Sequence, residues 1–169
     1  MEKEKQFIKF AKLDDKAIIP SARDEDAGLD VYANLKDEKD IIIGVGEIVM
    51  VPTGIISACD AGHAFVIRER GSSGTKGMSV RCGVIDSGFR GEWIIVLNNT
   101  GVKPIVITKK NIEDAQAEYE GCIVYPASKG IAQALYLPVE RCKVEELSVD
   151  EVKNIKSERG DGRLGSSGK

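Results

Sequence analysis

Apolar residues along this chain fall in short runs, each closed by turn-forming residues, and few recur at helical spacing. Runs at 7–13, 28–33, 40–43, 47–56, 63–68, 78–80, 83–85, 92–98, 105–107 and 131–138 read as strands. Between them stand Pro20, Gly44-Val45-Gly46, Pro52-Thr53-Gly54, Asp60-Ala61-Gly62 and Asn98-Asn99-Thr100-Gly101, all strong turn signals. The pattern predicts an all-β barrel or double sheet. Two segments depart from it. Residues 111–120 predict a helix capped by Asn111. Residues 148–156 predict a second, with Ser148 and Glu151 at capping-box spacing and a narrow stripe of Val149, Val152 and Ile155. From Gly160 onward there are four glycines and one large apolar residue, Leu164. So little apolar surface cannot fold alone, and a mobile tail is expected.

Composition strengthens the strand reading: 19 isoleucines and 15 valines stand against 8 leucines. A length of 169 residues suits one domain, and no repeat suggests another. The net charge of −3 supplies no basic field for a nucleic-acid backbone, so no nucleic-acid partner is expected. No apolar run approaches the ~20 residues of a membrane span. The charged start, Met1-Glu2-Lys3-Glu4-Lys5, leads into no signal-peptide core. A soluble, cytoplasmic protein without a membrane partner is the expectation. Cys59, Cys82, Cys122 and Cys142 form no C-x-x-C pair and read as buried, reduced thiols. The single histidine, His63, excludes a multi-histidine metal site, and its turn-like surroundings predict a surface loop.

The 18 glycines are unevenly spread, with six between Gly71 and Gly91. Arg70-Gly71-Ser72-Ser73-Gly74-Thr75-Lys76-Gly77 offers a cation, hydroxyls and backbone free to turn its N–H groups toward one point. Those are components of a phosphate site, or of a polar turn; the Walker order is absent. The terminal stretch from Arg159 to Lys169 is a second glycine cluster, either a disordered tail or a mobile anion clamp. Between them, Val84-Ile85 runs into Asp86, and a glycine-flanked turn presents Phe89. That is a water-activating base beside a stacking ring, or an Asx-turn closing a hairpin.

In order and wording these segments resemble the five motifs of the trimeric dUTPase (dUTP diphosphatase) family. Asp26-Ala27-Gly28-Leu29-Asp30-Val31-Tyr32-Ala33 resembles the first, Arg70 to Gly74 the second and Gly83 to Gly91 the third. Gly130-Ile131-Ala132-Gln133 resembles the fourth and Arg159 to Gly168 the fifth. The resemblance runs over roughly residues 7–169, with an insertion.

The resemblance implies a dUTPase-like β-barrel or double-sheet fold with short helices, spanning 1–158, and a flexible glycine-rich tail over 159–169. It implies a homotrimer with shared active sites that hydrolyses dUTP to dUMP and pyrophosphate. Water attacks the α-phosphorus with Mg²⁺ present; uracil is thereby kept out of DNA and dUMP is supplied for thymidylate synthesis. Asp86 corresponds to the residue that orients and deprotonates water. Phe89 corresponds to the aromatic under the sugar, which leaves no room for a 2′-OH. Backbone around Gly83 would read uracil. Arg70, Ser72 and Gln133 would bind phosphates. Arg159, Ser166 and Ser167 would cap them as the tail closes. Mg²⁺ would be held by the phosphates and water, with Asp30 acting only through water.

Several positions depart from the family pattern. Gly71 separates Arg70 from Ser72, Ser128-Lys129-Gly130 stands where Gly-Asp-Arg is usual, and Leu164 replaces a stacking phenylalanine beside Arg163. Residues 100–128 exceed what the core fold needs. They are expected as a surface insertion outside the chemistry, open to a regulatory protein. A dCTP deaminase shares the fold, but no glutamate set for cytosine chemistry stands near the third motif. A pure binding protein is the alternative from another class.

Overall fold

The computed structural model describes residues 7–37 and 39–162. It divides into two compact units, Met1–Val139 and Glu140–Lys169. The division lies between Val139 and Glu140.

The first unit is built from strands β1 (Ile8–Lys12), β2 (Gly28–Val31), β3 (Ile41–Ile43), β4 (Ile48–Pro52), β5 (Ile55–Cys59) and β6 (His63–Arg68). The short helix α1 (Gly71–Gly74) leads to β7 (Met78–Val80), β8 (Val84–Asp86), β9 (Ile94–Asn99) and β10 (Ile105–Thr108). Helix α2 (Ile112–Glu118), β11 (Ile123–Pro126) and β12 (Ala132–Pro138) complete it. Four sheets result, ordered β1-β5, β11-β10-β3, β2-β12-β6-β8 and β4-β9-β7, so the described residues form no single closed barrel.

The four-stranded sheet positions the site. Gln133 of β12 lies opposite Asp30 of β2 on one side and Arg68 of β6 on the other. β6 is a central strand paired on both sides, and its apolar run is covered accordingly: Ala64, Phe65 and Ile67 are buried, and Arg68, at its end, is exposed. Phe65 packs against Trp93 with ring centroids 4.9 Å apart, and Phe10 lies 5.5 Å from Trp93. The wholly buried Trp93 satisfies its indole by donating to Ser57 Oγ at 3.0 Å.

Several expectations are corrected. The run at 47–56 is two strands, because Thr53 turns its hydroxyl to the Trp93 carbonyl at 2.7 Å and Gly54 adopts φ +68°. Residues 100–128 are not simply a surface insertion. Every residue of β10 is buried, and β10 pairs in parallel with β11, an unforeseen strand, across α2. Strands covered on both faces read as continuous apolar runs, and Ile105-Val106-Ile107 is one. The surface part is α2. Asn111 Oδ1 caps it by accepting the Glu113 N–H at 2.8 Å. Beneath it, Asp40 accepts from the Tyr119 hydroxyl at 2.7 Å and faces Lys110 Nζ at 3.1 Å.

His63 is not a loop residue. It opens β6 and stacks on Tyr136, with centroids 4.6 Å apart. Of the cysteines only Cys59 is buried; Cys82 and Cys122 are half-buried and Cys142 is exposed. Burial raises the thiol pKa of Cys59 and Cys82, which keeps both in the unreactive form. Among the described residues no helix is long and apolar enough to cross a membrane.

In the second unit, α3 (Val149–Asn154) carries the expected capping box. Ser148 Oγ accepts the Glu151 N–H at 3.3 Å, and the Glu151 carboxylate accepts the Ser148 N–H at 2.8 Å. Its stripe of Val149, Val152 and Ile155 is exposed.

Candidate active site

Arg70 sits two residues beyond β6, at the entry to α1. Its Nε donates to Asp30 Oδ1 at 2.6 Å, and its Nη1 donates to the Gly130 carbonyl at 3.1 Å and to Ser72 Oγ at 3.3 Å. The Gly130 carbonyl also accepts from the buried Tyr125 hydroxyl at 2.7 Å. Burial works against the Arg70 charge, but Asp30 and Tyr125 outweigh it and hold its pKa above the ordinary value. A Cβ on Gly130 would stand 3.1 Å from both Arg70 Cδ and the Asp30 side chain, so glycine is what lets the guanidinium lie down here.

The stretch 70–77, expected as a loop, begins with a single helical turn. The Arg70 carbonyl accepts the N–H groups of Ser73 and Gly74 at 3.2 and 2.8 Å. That turn sorts the two serines. Ser73 is buried and returns its hydroxyl to the Arg70 carbonyl, whereas Ser72 is exposed and lines a groove of about 790 Å³. Arg70, Ser72, Asp30 and Gln133 share that groove. Gln133 is oriented by donating Nε2 to the Glu69 carbonyl at 2.7 Å. The same groove is lined by Arg23 and Asp26, which form a forked ion pair with N–O distances of 2.8 and 2.9 Å.

Asp86, Phe89 and Gly83 do not line this groove. They belong to β8, the edge strand on the far side of β6 from β12, and to its flanking turns; β8 does not pair with the following strand β9, which lies in another sheet, so the hairpin expected here is not formed. Asp86 ends β8 opposite Ala64. The turn after it is closed by the Asp86 main-chain carbonyl, which accepts the Phe89 N–H at 3.0 Å. The carboxylate is therefore not used as an Asx cap, and it is exposed. Phe89 is 41% exposed, with its ring laid over Gly91: a Cβ there would fall 2.5 Å from the ring. Arg90 braces the turn from within the chain, its Nη1 donating to the carbonyls of Ser87 at 2.7 Å and Phe89 at 2.9 Å. The Gly83 carbonyl is already taken into the sheet by the Ile67 N–H at 2.9 Å.

In the second unit, Arg159 donates Nε to the Gly162 carbonyl at 3.1 Å, and its N–H meets Ser157 Oγ at 3.2 Å. Leu164, Ser166 and Ser167 lie outside the described residues. Three residues of this arrangement, Tyr125, Arg90 and Arg23, carry no chemical signal of their own in the sequence, although Asp26, the partner of Arg23, stands at the head of the first motif.

The sequence profile of the dUTPase family matches residues 14–112, a span that includes Asp30, Arg70, Asp86 and Phe89. The chain belongs to the dUTPase family. The deoxyuridine 5′-triphosphate nucleotidohydrolase of Gloeobacter violaceus is 34% identical to it, over 90% of this chain and 89% of that one. That of Mycolicibacterium gilvum is 34% identical over 95% and 94%. The dUTPase of Staphylococcus bacteriophage 80alpha with dUPNHPP has the same fold, with TM-score 0.74 at 19% identity over 96% of this chain and 99% of that chain. A mutant dUTPase from phage phi11 of S. aureus, which coordinates a structural Mg(II) ion, superposes with TM-score 0.65 at 15% identity over 83% and 96%. This dUTPase fold accounts for the β-rich architecture, with the short helices as its only helical elements among the described residues.

Proposed function

We infer that this chain is a dUTP diphosphatase, hydrolysing dUTP to dUMP and pyrophosphate. The observation that carries the reading is Arg70, held by Asp30 and the Gly130 carbonyl beside Ser72 and Gln133 in one groove. A guanidinium fixed by neighbours keeps its remaining N–H groups aimed, so little reorganisation is needed as charge grows on a leaving pyrophosphate. Asp86 takes the proton of the attacking water, a task that suits an exposed carboxylate at the end of a strand. Phe89 lies under the sugar and selects deoxyribose, because a 2′-OH would meet its ring. Backbone at Gly83 and beyond reads uracil, rejecting the cytosine edge by leaving its groups unpaired.

The distance in the sheet order between the groove and the Asp86 turn supports active sites completed by more than one chain, and thus the homotrimer. Residues 159–169, with Arg159, Leu164, Ser166 and Ser167, close over the bound triphosphate. Mg²⁺ fits this donor set only as an ion carried by the phosphates: among the described residues no cluster of three or more His, Cys, Asp or Glu side chains is placed to hold a metal. Asp30, one of whose oxygens is given to Arg70, would meet water of the ion's shell. When bound, the ion withdraws charge from the phosphate oxygens. The enzyme acts in the cytoplasm, on free nucleotide. A regulatory partner drawn to residues 100–128 would meet α2, since β10 is buried.

Product analysis with dUTP, UTP, dCTP and dTTP in Mg²⁺ tests the reading. The expected result is dUMP and pyrophosphate from dUTP alone, from a species that sediments as a trimer. Ammonia released from dCTP without diphosphatase activity would assign the chain to deaminase chemistry instead.

A further inference from the structure

The charged side chains lining the groove, among the described residues, are Arg23 and Arg70 against Glu25, Asp26 and Asp30. Both cations are already paired, so the groove presents a net negative wall to an entering anion. Arg70 is held from three directions and is fixed. Arg23 is held by Asp26 alone among the described residues. Its Nε and Nη2 fork onto the two oxygens of Asp26, and its side chain is 88% exposed. Exposed ion pairs of this kind contribute little to stability and exchange readily.

The loop that carries Arg23 is pinned beside Asp30. Ser21 bridges to Asp30, whose N–H donates to the Ser21 carbonyl at 2.8 Å. Asp26 closes the turn by donating its N–H to the Arg23 carbonyl at 3.0 Å. The two pairs sense each other. The hydrogen bond to Asp26 raises the Arg23 pKa, with Asp30 adding to it. The hydrogen bond from Arg23 lowers the Asp26 pKa, with Arg70 adding to it.

We propose that Arg23 is a further phosphate-binding residue, parked on Asp26 in the free enzyme and transferred to the polyphosphate when it enters the groove. This rests on the groove's being the triphosphate site. A phosphate group offers the same forked acceptor as the Asp26 carboxylate, with more charge. Moving one guanidinium leaves the summed charge of the lining unchanged but puts a second arginine beside Arg70 on the ligand, while the freed Asp26 carboxylate, partly exposed, is left to water. Asp26 then works as a competitor, an internal anion that holds Arg23 at the groove until the ligand displaces it.

Calorimetric binding of inorganic tripolyphosphate to the full chain, with no turnover required, tests this in wild type, Arg23→Gln, Asp26→Asn and the double variant. Arg23→Gln is expected to weaken tripolyphosphate about tenfold. It should also raise KM for dUTP in proportion, with kcat within about twofold of wild type. Asp26→Asn, by freeing Arg23, is expected to strengthen tripolyphosphate about threefold, and that gain should vanish in the double variant. Equal tripolyphosphate affinity in wild type and Arg23→Gln overturns the proposal. So does weakening by both single variants together with a lowered Tm, which would make the pair a mere brace of the turn. Failure of the wild type to hydrolyse dUTP would overturn the functional reading instead, while the tripolyphosphate series still decides the role of Arg23.

Discussion

The groove around Arg70 and the turn around Asp86 stand at the two edges of one sheet and are built on opposite terms. In the groove the charged and amide side chains are tied to protein: Arg70 to Asp30 and Gly130, Gln133 to Glu69, Arg23 to Asp26. In the turn after β8 the backbone is tied, and the side chains of Asp86 and Phe89 are exposed. Arg90 and the Asp86 carbonyl hold the turn, while the Asp86 carboxylate and the Phe89 ring face outward. A site for a highly charged polyphosphate needs its cations placed in advance, because an unpaired cation in a partly buried wall is costly. A site for water and a nucleoside needs open atoms on a stiff frame.

The sharpest way to break this contrast is Asp86→Asn. Turnover of dUTP should fall roughly 150-fold, about 3 kcal/mol on the barrier, with Tm unchanged. Full turnover would remove Asp86 as the base. Next in size is Arg70→Ala, which should lower both stability, by about 2 kcal/mol, and turnover, since Asp30 and the Gly130 carbonyl lose a charged donor. Chemical denaturation and steady-state rates measured together would show whether the two losses travel together here and separate at Asp86. Phe89→Ala should leave stability within about 0.5 kcal/mol, as expected for an exposed side chain. Discrimination between dUTP and UTP should fall about tenfold, read as the ratio of kcat/KM values.

A third region calibrates the other two. Asp40, buried beneath α2, is stabilised as the carboxylate: burial opposes its charge, but Thr108, Tyr119 and Lys110 outweigh it and lower its pKa. A depressed carboxylate contributes stability at pH above its ordinary value near ~4, and that contribution is lost as pH falls through the depressed one. Asp40→Asn should therefore cost about 1 kcal/mol near neutral pH, and the gap to wild type should close under acid, with dUTP turnover unaffected. A turnover defect in this variant would mean that α2 reaches the chemistry after all.

Much of the fold is legible in the sequence for local reasons. The continuous apolar run Ala64-Phe65-Val66-Ile67 between a turn and Arg68 writes a covered strand into the sequence, and Ser148 with Glu151 writes a helix start. What stays hidden depends on contacts between distant segments. Ile123–Pro126 is a strand because β10 pairs with it from the other side of α2. The helical turn at Gly71–Gly74 has no propensity behind it and forms because the Arg70 carbonyl gathers its N–H groups. The motif residues mark where chemistry belongs. Their division into a fixed groove and an open turn, and the support that Tyr125 gives through Gly130, require the sheet order.

The floor of the groove is also the longest closure in the sheet. Asp30 and Gln133 meet across strands whose sequence positions are roughly a hundred residues apart, whereas β6 and β8 meet across a short stretch of chain. Long closures demand more chain entropy and form late. A chain emerging during synthesis thus has β6 and β8 in hand well before residue 133 exists to close β12 on β2. If the groove holds phosphate as proposed, that half of the site is finished only once the last strand of the sheet has been made, which ties phosphate binding to completed folding.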